Sequence, residues 1–307
     1  MPAKDKSSPM NISAEAVRQL RERTGAGMME CKRALVETQG DLDAAAELMR
    51  KQGLAKADKK AARVAAEGVI IIERAADGGA AAMVEINCET DFVARGDDFR
   101  AFAQAVGEAA LRTRPADVSA LLATKLPSGG TVEDRRRALV AKIGENVSVR
   151  RTAVLTAASG NLGAYVHGTR IGALVAIQGG TAELARDLAM HVSWSNPRYL
   201  THGDVPAEVI AKERDILTEQ AKTEGKPAEI VAKMVEGRLR KALNEITLTG
   251  QPFVKDPEVS IEKLLKGAKA QLVAFERFEV GAGIEKKSGD FVADVMAQVR
   301  GGDSKVH

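Results

Sequence analysis

Aromatic residues are scarce in this 307-residue chain: seven Phe, two Tyr and one Trp. Its cores must therefore be filled by Ala, Val, Ile and Leu. Only two cysteines occur, Cys31 and Cys88, which excludes a disulfide framework and points to reduced thiols. The four histidines, His167, His191, His202 and His307, lack the short spacings of a zinc site. No apolar run approaches the ~20 residues of a membrane span. The opening "MPAKDKSSPM" lacks the apolar stretch of a signal peptide, so a cytoplasmic protein without a membrane partner is expected. Nor is there an excess of either charge: 45 Lys and Arg stand against 42 Asp and Glu. That balance argues against a nucleic-acid binder, which shows a concentrated basic face. Arg135-Arg136-Arg137 and Arg150-Arg151, the densest basic runs, read as solvated faces. No stretch fits a P-loop, and no Gly-rich dinucleotide turn follows a strand.

What is present has the texture of an α+β protein. Ser13 is placed to cap a first helix carrying Val17 and Leu20. "TGAG" breaks it at Thr24–Gly27. A second helix aligns Cys31, Ala34 and Leu35 and stops at Gly40. Asp41 caps a third with Leu42, Ala45, Leu48 and Met49, ending near Gly53. These predict a three-helix bundle, followed by a charged, Ala-rich helical linker. From Gly68 two strands joined by Asp77-Gly78-Gly79 form a hairpin. A helix with Phe99, Phe102, Val106 and Ala110 follows, then a mostly helical stretch and a strand from Asn146 to Ala157. Hairpin, helix and strand recur at "NLGAYVHG", "IGALVAIQGG", "TAELARDLAMHVSW" and "QLVAFERFEV". An internal duplication is the favoured reading; two unrelated α+β units of similar texture are the alternative. Within the second unit an αα-hairpin is inserted. Its apolar sides are Val209, Ile210, Ile216 and Leu217 on one helix, and Val231, Val235, Leu239 and Leu243 on the other. A short amphipathic helix with Phe291, Val292, Val295 and Met296 closes the chain.

Candidates for chemistry are few. Cys88 ends a strand and could meet His167 as a nucleophile, but the adjacent Glu89 disfavours a thiolate, and burial alone accounts for a cysteine there. Asp97-Asp98 precede a helix, where a cap and a first-turn acid are expected. His191 reads as a packed, hydrogen-bonded residue. Met28-Met29 starts a helix, where methionines serve either as core filler or as adaptable contacts. The strand "MVEINC" alternates as a half-buried strand, with Val84 and Ile86 on one face. Asp91 and Phe92 then stand side by side on what reads as a connecting turn. On local pattern alone, Phe92 is favoured as a lid on the hairpin core.

Several stretches taken together resemble one family. "LRERTGAGMMECKRAL", "NCETDFVAR", "KIGENV", "HGTRIGALVA", "AMHVSWSNP", "EGKPAEIVAKMVEGRL" and "LTGQPFVKDP" stand in the order seen in bacterial elongation factor Ts. The resemblance covers about residues 11–299. It implies a three-helix N-terminal domain like ubiquitin-associated domains with its linker (11–65) and a duplicated core with antiparallel sheets. The core comprises subdomain N (66–160) and subdomain C (161–199 and 249–283). A helical hairpin called the dimerisation domain (200–248) is inserted, and a C-terminal helical module (284–302) follows. The implied function is guanine-nucleotide exchange on elongation factor Tu in translation, without covalent chemistry. The chain itself then needs no cofactor, because Mg²⁺ and GDP or GTP belong to the partner. The alternative is a helical-bundle adaptor without exchange activity.

The resemblance also assigns residues. Asp91 and Phe92, with Thr90 and Val93 of the same "TDFV" motif, map to the part that enters the partner's nucleotide-binding domain near its Mg²⁺ site. This reverses the lid reading of Phe92. Ile143 and Gly144 of "KIGEN" match core contacts to that domain, and His167 a contact that helps displace the phosphate-binding side. Leu20, Met28, Met29 and Lys32 match the N-terminal contact surface, and Phe291 that of the C-terminal module. The hairpin leaves room for a homodimer. The sequence departs from the family pattern in a longer stretch from Pro127 to Arg137 and in Ala282, where an acid is frequent. A polar extension also precedes Met10, leaving either Met1 or Met10 as the start of translation.

Overall fold

The computed structural model describes residues 12–157, 160–224 and 227–285. The C-terminal helix expected around Phe291 lies outside them. Helices α1 (Ala14–Thr24), α2 (Met28–Glu37) and α3 (Leu42–Lys60) form the N-terminal bundle. Ser13 caps α1 by accepting from the Ala16 amide, and Asp41 accepts from the Asp43 and Ala44 amides at the start of α3. Val17, Leu20, Cys31, Ala34, Leu35 and Ala45 fill the bundle core. One expectation fails here: α3 does not stop at Gly53 but runs on to Lys60. The Ala-rich segment beyond Gly53 keeps the helix going. The glycine instead marks a crossing, where an added Cβ would come within 3.0 Å of the Ala141 Cβ.

The core holds two three-stranded antiparallel sheets. In the first, β1 (Glu67–Arg74), β2 (Ala80–Cys88) and β3 (Val147–Thr156) lie in the order β1-β2-β3. Helices α4 (Asp91–Arg95), α5 (Asp97–Thr113), α6 (Val118–Leu122) and α7 (Val132–Ile143) lie between β2 and β3 in sequence. In the second sheet, β4 (Gly160–His167) and β5 (Ile171–Gln178) form a hairpin, followed by α8 (Ala182–Ser195). The inserted hairpin comes next, α9 (Ala207–Lys222) and α10 (Ala228–Ile246). Then follow a short ribbon, β6 (Pro252–Phe253) with β7 (Asp256–Ser260), and α11 (Ile261–Gly267). The last strand, β8 (Gln271–Glu279), completes the order β4-β5-β8. The ribbon and α11 carry no strong period and escape a reading of the sequence.

Three apolar clusters layer these elements. Phe99, Phe102 and Val106 of α5 pack on Val84 and Ile86 of β2, with Leu139 and Val140 of α7. Leu188 and Val192 of α8 pack on Val175 and Ile177 of β5. Between the sheets, Ile70 and Met83 meet Leu162, Leu174 and Phe278. The order is thus helix, sheet, sheet, helix. It corrects the expectation for β2, which is buried along its whole length rather than on one face. Its alternation of apolar and polar residues reflects two different interiors.

The polar interior is built around Glu85, which is fully buried. The β2–β3 register slips between Glu85 and Ile86. This bulge brings two consecutive arginines onto one carboxylate. Arg150 Nη1 lies 3.0 Å and Arg151 Nε 2.5 Å from Glu85, and the Gly281 amide donates to it at 2.8 Å. Arg150-Arg151 is therefore not a solvated face. These bonds hold the Glu85 carboxyl below the usual carboxylate range although burial alone would raise it. Nor is the other basic run wholly solvated: Arg136 is mostly buried, bonding Glu133 and the Val147 carbonyl. In the αα-hairpin, Leu217, Ala221, Val235 and Leu239 form the seam. Ile216, expected on the inner side, faces solvent, because Leu217 and Ala221 one turn apart define the buried stripe.

Candidate functional site

Chain leaving β2 enters a single helical turn instead of the loop expected for it. Thr90 caps α4: its hydroxyl accepts from the Val93 amide at 3.3 Å. Gly96, in extended backbone, separates α4 from α5. Asp97 and Asp98 then fall in the first turn of α5, where the helix dipole favours acids, and Asp98 also meets Lys142. Ala94 faces inward and anchors the turn, whereas Phe92 points out and is 82% exposed. Asp91 pairs with Arg95 one turn on, at 2.8 Å. Phe92 is thus no lid.

The turn is braced from a second motif. Gly144 ends α7 with φ 87°, a left-handed conformation that a side chain would strain, and so turns the chain sharply toward β3. The residues of this corner bond back to the turn. Glu145 accepts from the Thr90 amide at 3.0 Å and from its hydroxyl at 2.8 Å. Glu89 accepts from the Asn146 amide at 2.6 Å. Asn146 in turn donates to the carbonyls of Ala61 and Arg63, and Lys60 to that of Gly144. The Phe92 turn, the Ile143-Gly144 corner and the segment leaving α3 are tied at one junction. Ile143 is half-buried there. Glu89 and Glu145 were not singled out for this role from sequence; the only signal is that each is an acid flanking a motif.

Cys88 belongs to the brace rather than to catalysis. Its thiol donates to the Thr90 carbonyl at 3.1 Å. Burial, with the nearby Glu145 and Glu67 charges, pushes its pKa up to about 12. At neutral pH it stays a thiol, so the nucleophile reading falls. His191 is packed as expected: Nδ1 accepts from the Val254 amide at 3.2 Å, leaving Nε2 to donate to Gln251 at 3.0 Å. Burial holds it below the ordinary histidine pKa.

The other assigned residues divide. Met28 and Met29 are 55% and 69% exposed at the start of α2, with Lys32 exposed one turn on. They form an open apolar and cationic face. Leu20 does not join it: it is fully buried in the bundle core. The periodicity that placed Leu20 on the apolar stripe of α1 already marked it as core. His167 is exposed at the end of β4 and stacks loosely on Tyr165. Phe291 lies outside the described residues. Trp194, to which the sequence reading gave no role, is 80% exposed near the end of α8. Among the described residues, no group of three or more His, Cys, Asp and Glu is placed to hold a metal ion. No described helix is long and apolar enough to cross a membrane.

The fold and this junction define a two-sheet α+β protein that carries an exposed aromatic on a braced helical turn. Comparison with known proteins places it further. The family model described as Elongation factor TS matches residues 89–282. The chain is 58% identical over 291 residues to Elongation factor Ts of Methylococcus capsulatus, covering 95% of this chain and 99% of that protein. It is 57% identical over 292 residues to Elongation factor Ts of Alkalilimnicola ehrlichii, covering 95% and 100%. Against Elongation factor Ts of Halorhodospira halophila it is 55% identical over 291 residues, covering 95% and 99%. The chain belongs to the elongation factor Ts family.

Proposed function

We propose that this chain is a guanine-nucleotide exchange factor for elongation factor Tu and works by inserting Phe92 and Asp91 near the partner's Mg²⁺ site. The observation that carries the reading is Phe92, a large apolar ring 82% exposed on a turn whose backbone is tied down. The exposed ring contributes little to its own core, and aromatic side chains are enriched where one protein binds another, which supports a use in a partner. Family membership names that molecule. Packed interiors repack in discrete steps rather than deforming smoothly, so an inserted ring can shift the elements that hold the nucleotide. Once the cation's support weakens, so does the hold on phosphate.

Exchange needs no covalent step. A protein that binds the nucleotide-free partner more tightly weakens nucleotide binding by the same factor. Met28, Met29 and Lys32, on a bundle we liken to ubiquitin-associated domains, supply a second contact to the nucleotide-binding domain. Ile143, Gly144 and His167 extend the core contact, and Phe291 belongs to a further one. Pairing of two copies through the αα-hairpin is compatible with the exposed Ile216 and Ile230.

The test is release of fluorescently labelled GDP from elongation factor Tu. Addition of this protein accelerates release if the reading is right. An unchanged rate rejects it and leaves the helical-bundle adaptor.

A further inference from the structure

We infer that Glu145, with Glu89 as its reciprocal, is the positioning residue that sets the attitude of the Phe92 turn; this rests on the exchange reading above. The two carboxylates cross between the segments they join. Glu89 leaves the Phe92 side and accepts from Asn146 on the corner. Glu145 leaves the corner and takes both donors of Thr90, its amide and its hydroxyl. The hydroxyl proton is thereby committed to Glu145, which leaves the oxygen's lone pairs toward the Val93 amide. A continuous path of bonds runs from Glu145 through Thr90 into the first turn of α4, and Phe92 sits between Thr90 and Val93.

The turn depends on this support. A five-residue helix is too short to sustain itself, since nucleation costs more than its few bonds return. Gly96 breaks its continuity with α5. Phe92 packs too little to orient itself, so the backbone sets the point and direction from which its side chain leaves. Bonds to a carboxylate are the stronger kind, and two converge on one residue. The corner bearing Glu145 is itself held by Lys60 and Asn146 to the segment leaving α3. The clasp therefore fixes the probe relative to the bundle that presents Met28 and Met29.

The deciding experiment measures labelled-GDP release from elongation factor Tu at saturating exchange factor. The proteins compared are the parent, Glu145→Ala, Glu145→Gln, Phe92→Ala and the double variant Phe92→Ala/Glu145→Ala. Amide hydrogen exchange at Thr90 and Val93 is followed in parallel. Glutamine can accept from the Thr90 amide and donate to its hydroxyl oxygen, reversing the second bond while leaving that oxygen a lone pair for the Val93 amide. Glu145→Ala should slow the maximal release rate about tenfold or more, because a misplaced group loses most of its effect. Glu145→Gln should stay within about threefold of the parent. The double variant should be no slower than Phe92→Ala, and the Thr90 and Val93 amides should exchange faster in Glu145→Ala. If Glu145→Ala does not fold, Thr90→Val, which removes at constant shape the hydroxyl that links Glu145 to the Val93 amide, carries the same expectation for release and for the Val93 amide. A parental rate in Glu145→Ala, or a double variant that multiplies the two single losses, overturns the positioning role. A parent that fails to accelerate release rejects exchange itself; unchanged amide protection in Glu145→Ala then rejects the clasp as well.

Discussion

In the first half of the core, the chain leaving the central strand turns at Thr90 into α4, breaks at Gly96 and starts again as α5. In the second half it passes Gly179 and Gly180 and enters α8 directly under Thr181, which caps it by accepting from the Leu184 amide. The rest of the plan is shared. Each half is a hairpin, a helix and a returning strand, and each returning strand slips register at a matching place: between Glu85 and Ile86 of β2, and between Ala176 and Ile177 of β5. The same threonine cap thus starts a long helix in one half and a single projecting turn in the other. The exposed ring belongs to what the first half adds. The second half spends its added chain elsewhere, on the αα-hairpin, the ribbon and α11 between α8 and β8.

The bulge offers the strongest way to break this comparison. In β5 the residue before it is Ala176; in β2 it is Glu85, clasped by Arg150, Arg151 and the Gly281 amide. Glu85→Ala takes the buried carboxylate from two partly exposed arginines and the acceptor from the Gly281 amide, and should cost about 2–3 kcal/mol, read by urea unfolding. A cost below about 1 kcal/mol would show the ion pair to be dispensable, as surface pairs are.

Removing the two caps sharpens the contrast at smaller scale. Thr181→Ala should cost about 1 kcal/mol and leave exchange untouched. Thr90→Ala loses the cap and the one Glu145 bond to its hydroxyl, about 1–2 kcal/mol, and should slow nucleotide release as well. Equal effects of both variants on release would erase the distinction between the halves.

Acid should separate the halves by the smallest effect. His191 is held below its ordinary value of 6.5. As pH falls past 6.5 the unfolded chain takes up a proton that the folded second half resists, so stability declines from there. Glu85 is held below its ordinary value of 4.5. The stability it contributes is present above 4.5 and is lost as pH falls from there through its lower folded value. Unfolding midpoints followed from pH 7 to the acid limit should show the earlier decline vanish in His191→Gln and the later one shrink in Glu85→Gln, with Glu133 and Asp134, also held below their ordinary values by their bonds, keeping a share of it. Persistence of the earlier decline in His191→Gln would assign it to other groups.

Much of this was legible in the sequence. Ser13 and Asp41 announced their helices, and the stripe from Phe99 to Ala110 announced α5. Both hairpins showed as apolar runs around short turns. What was not legible depended on more than one segment. The alternation in β2 looked half-buried because nothing local shows that a second sheet covers the polar-looking face around Glu85. Arg150 and Arg151 looked solvated because their carboxylate lies on another strand. Gly53 looked like a stop because a helix crossing is a property of two helices. At the site, the "TDFV" stretch was found through its resemblance to a family, while local pattern favoured a lid. Leu20 went the other way: the stripe placed it in the core, and only the motif match drew it to the surface. The bonds joining Glu145 to Thr90 link residues far apart in the chain, so only the fold reveals them.

The central claim is that the braced turn exists to present Phe92. The direct measurement is labelled-GDP release from elongation factor Tu with the parent and with Phe92→Ala, alongside thermal unfolding of both proteins. Because the ring is 82% exposed, its removal should leave the unfolding midpoint unchanged while nucleotide release slows sharply. A Phe92→Ala protein that exchanges nucleotide as fast as the parent would contradict the account.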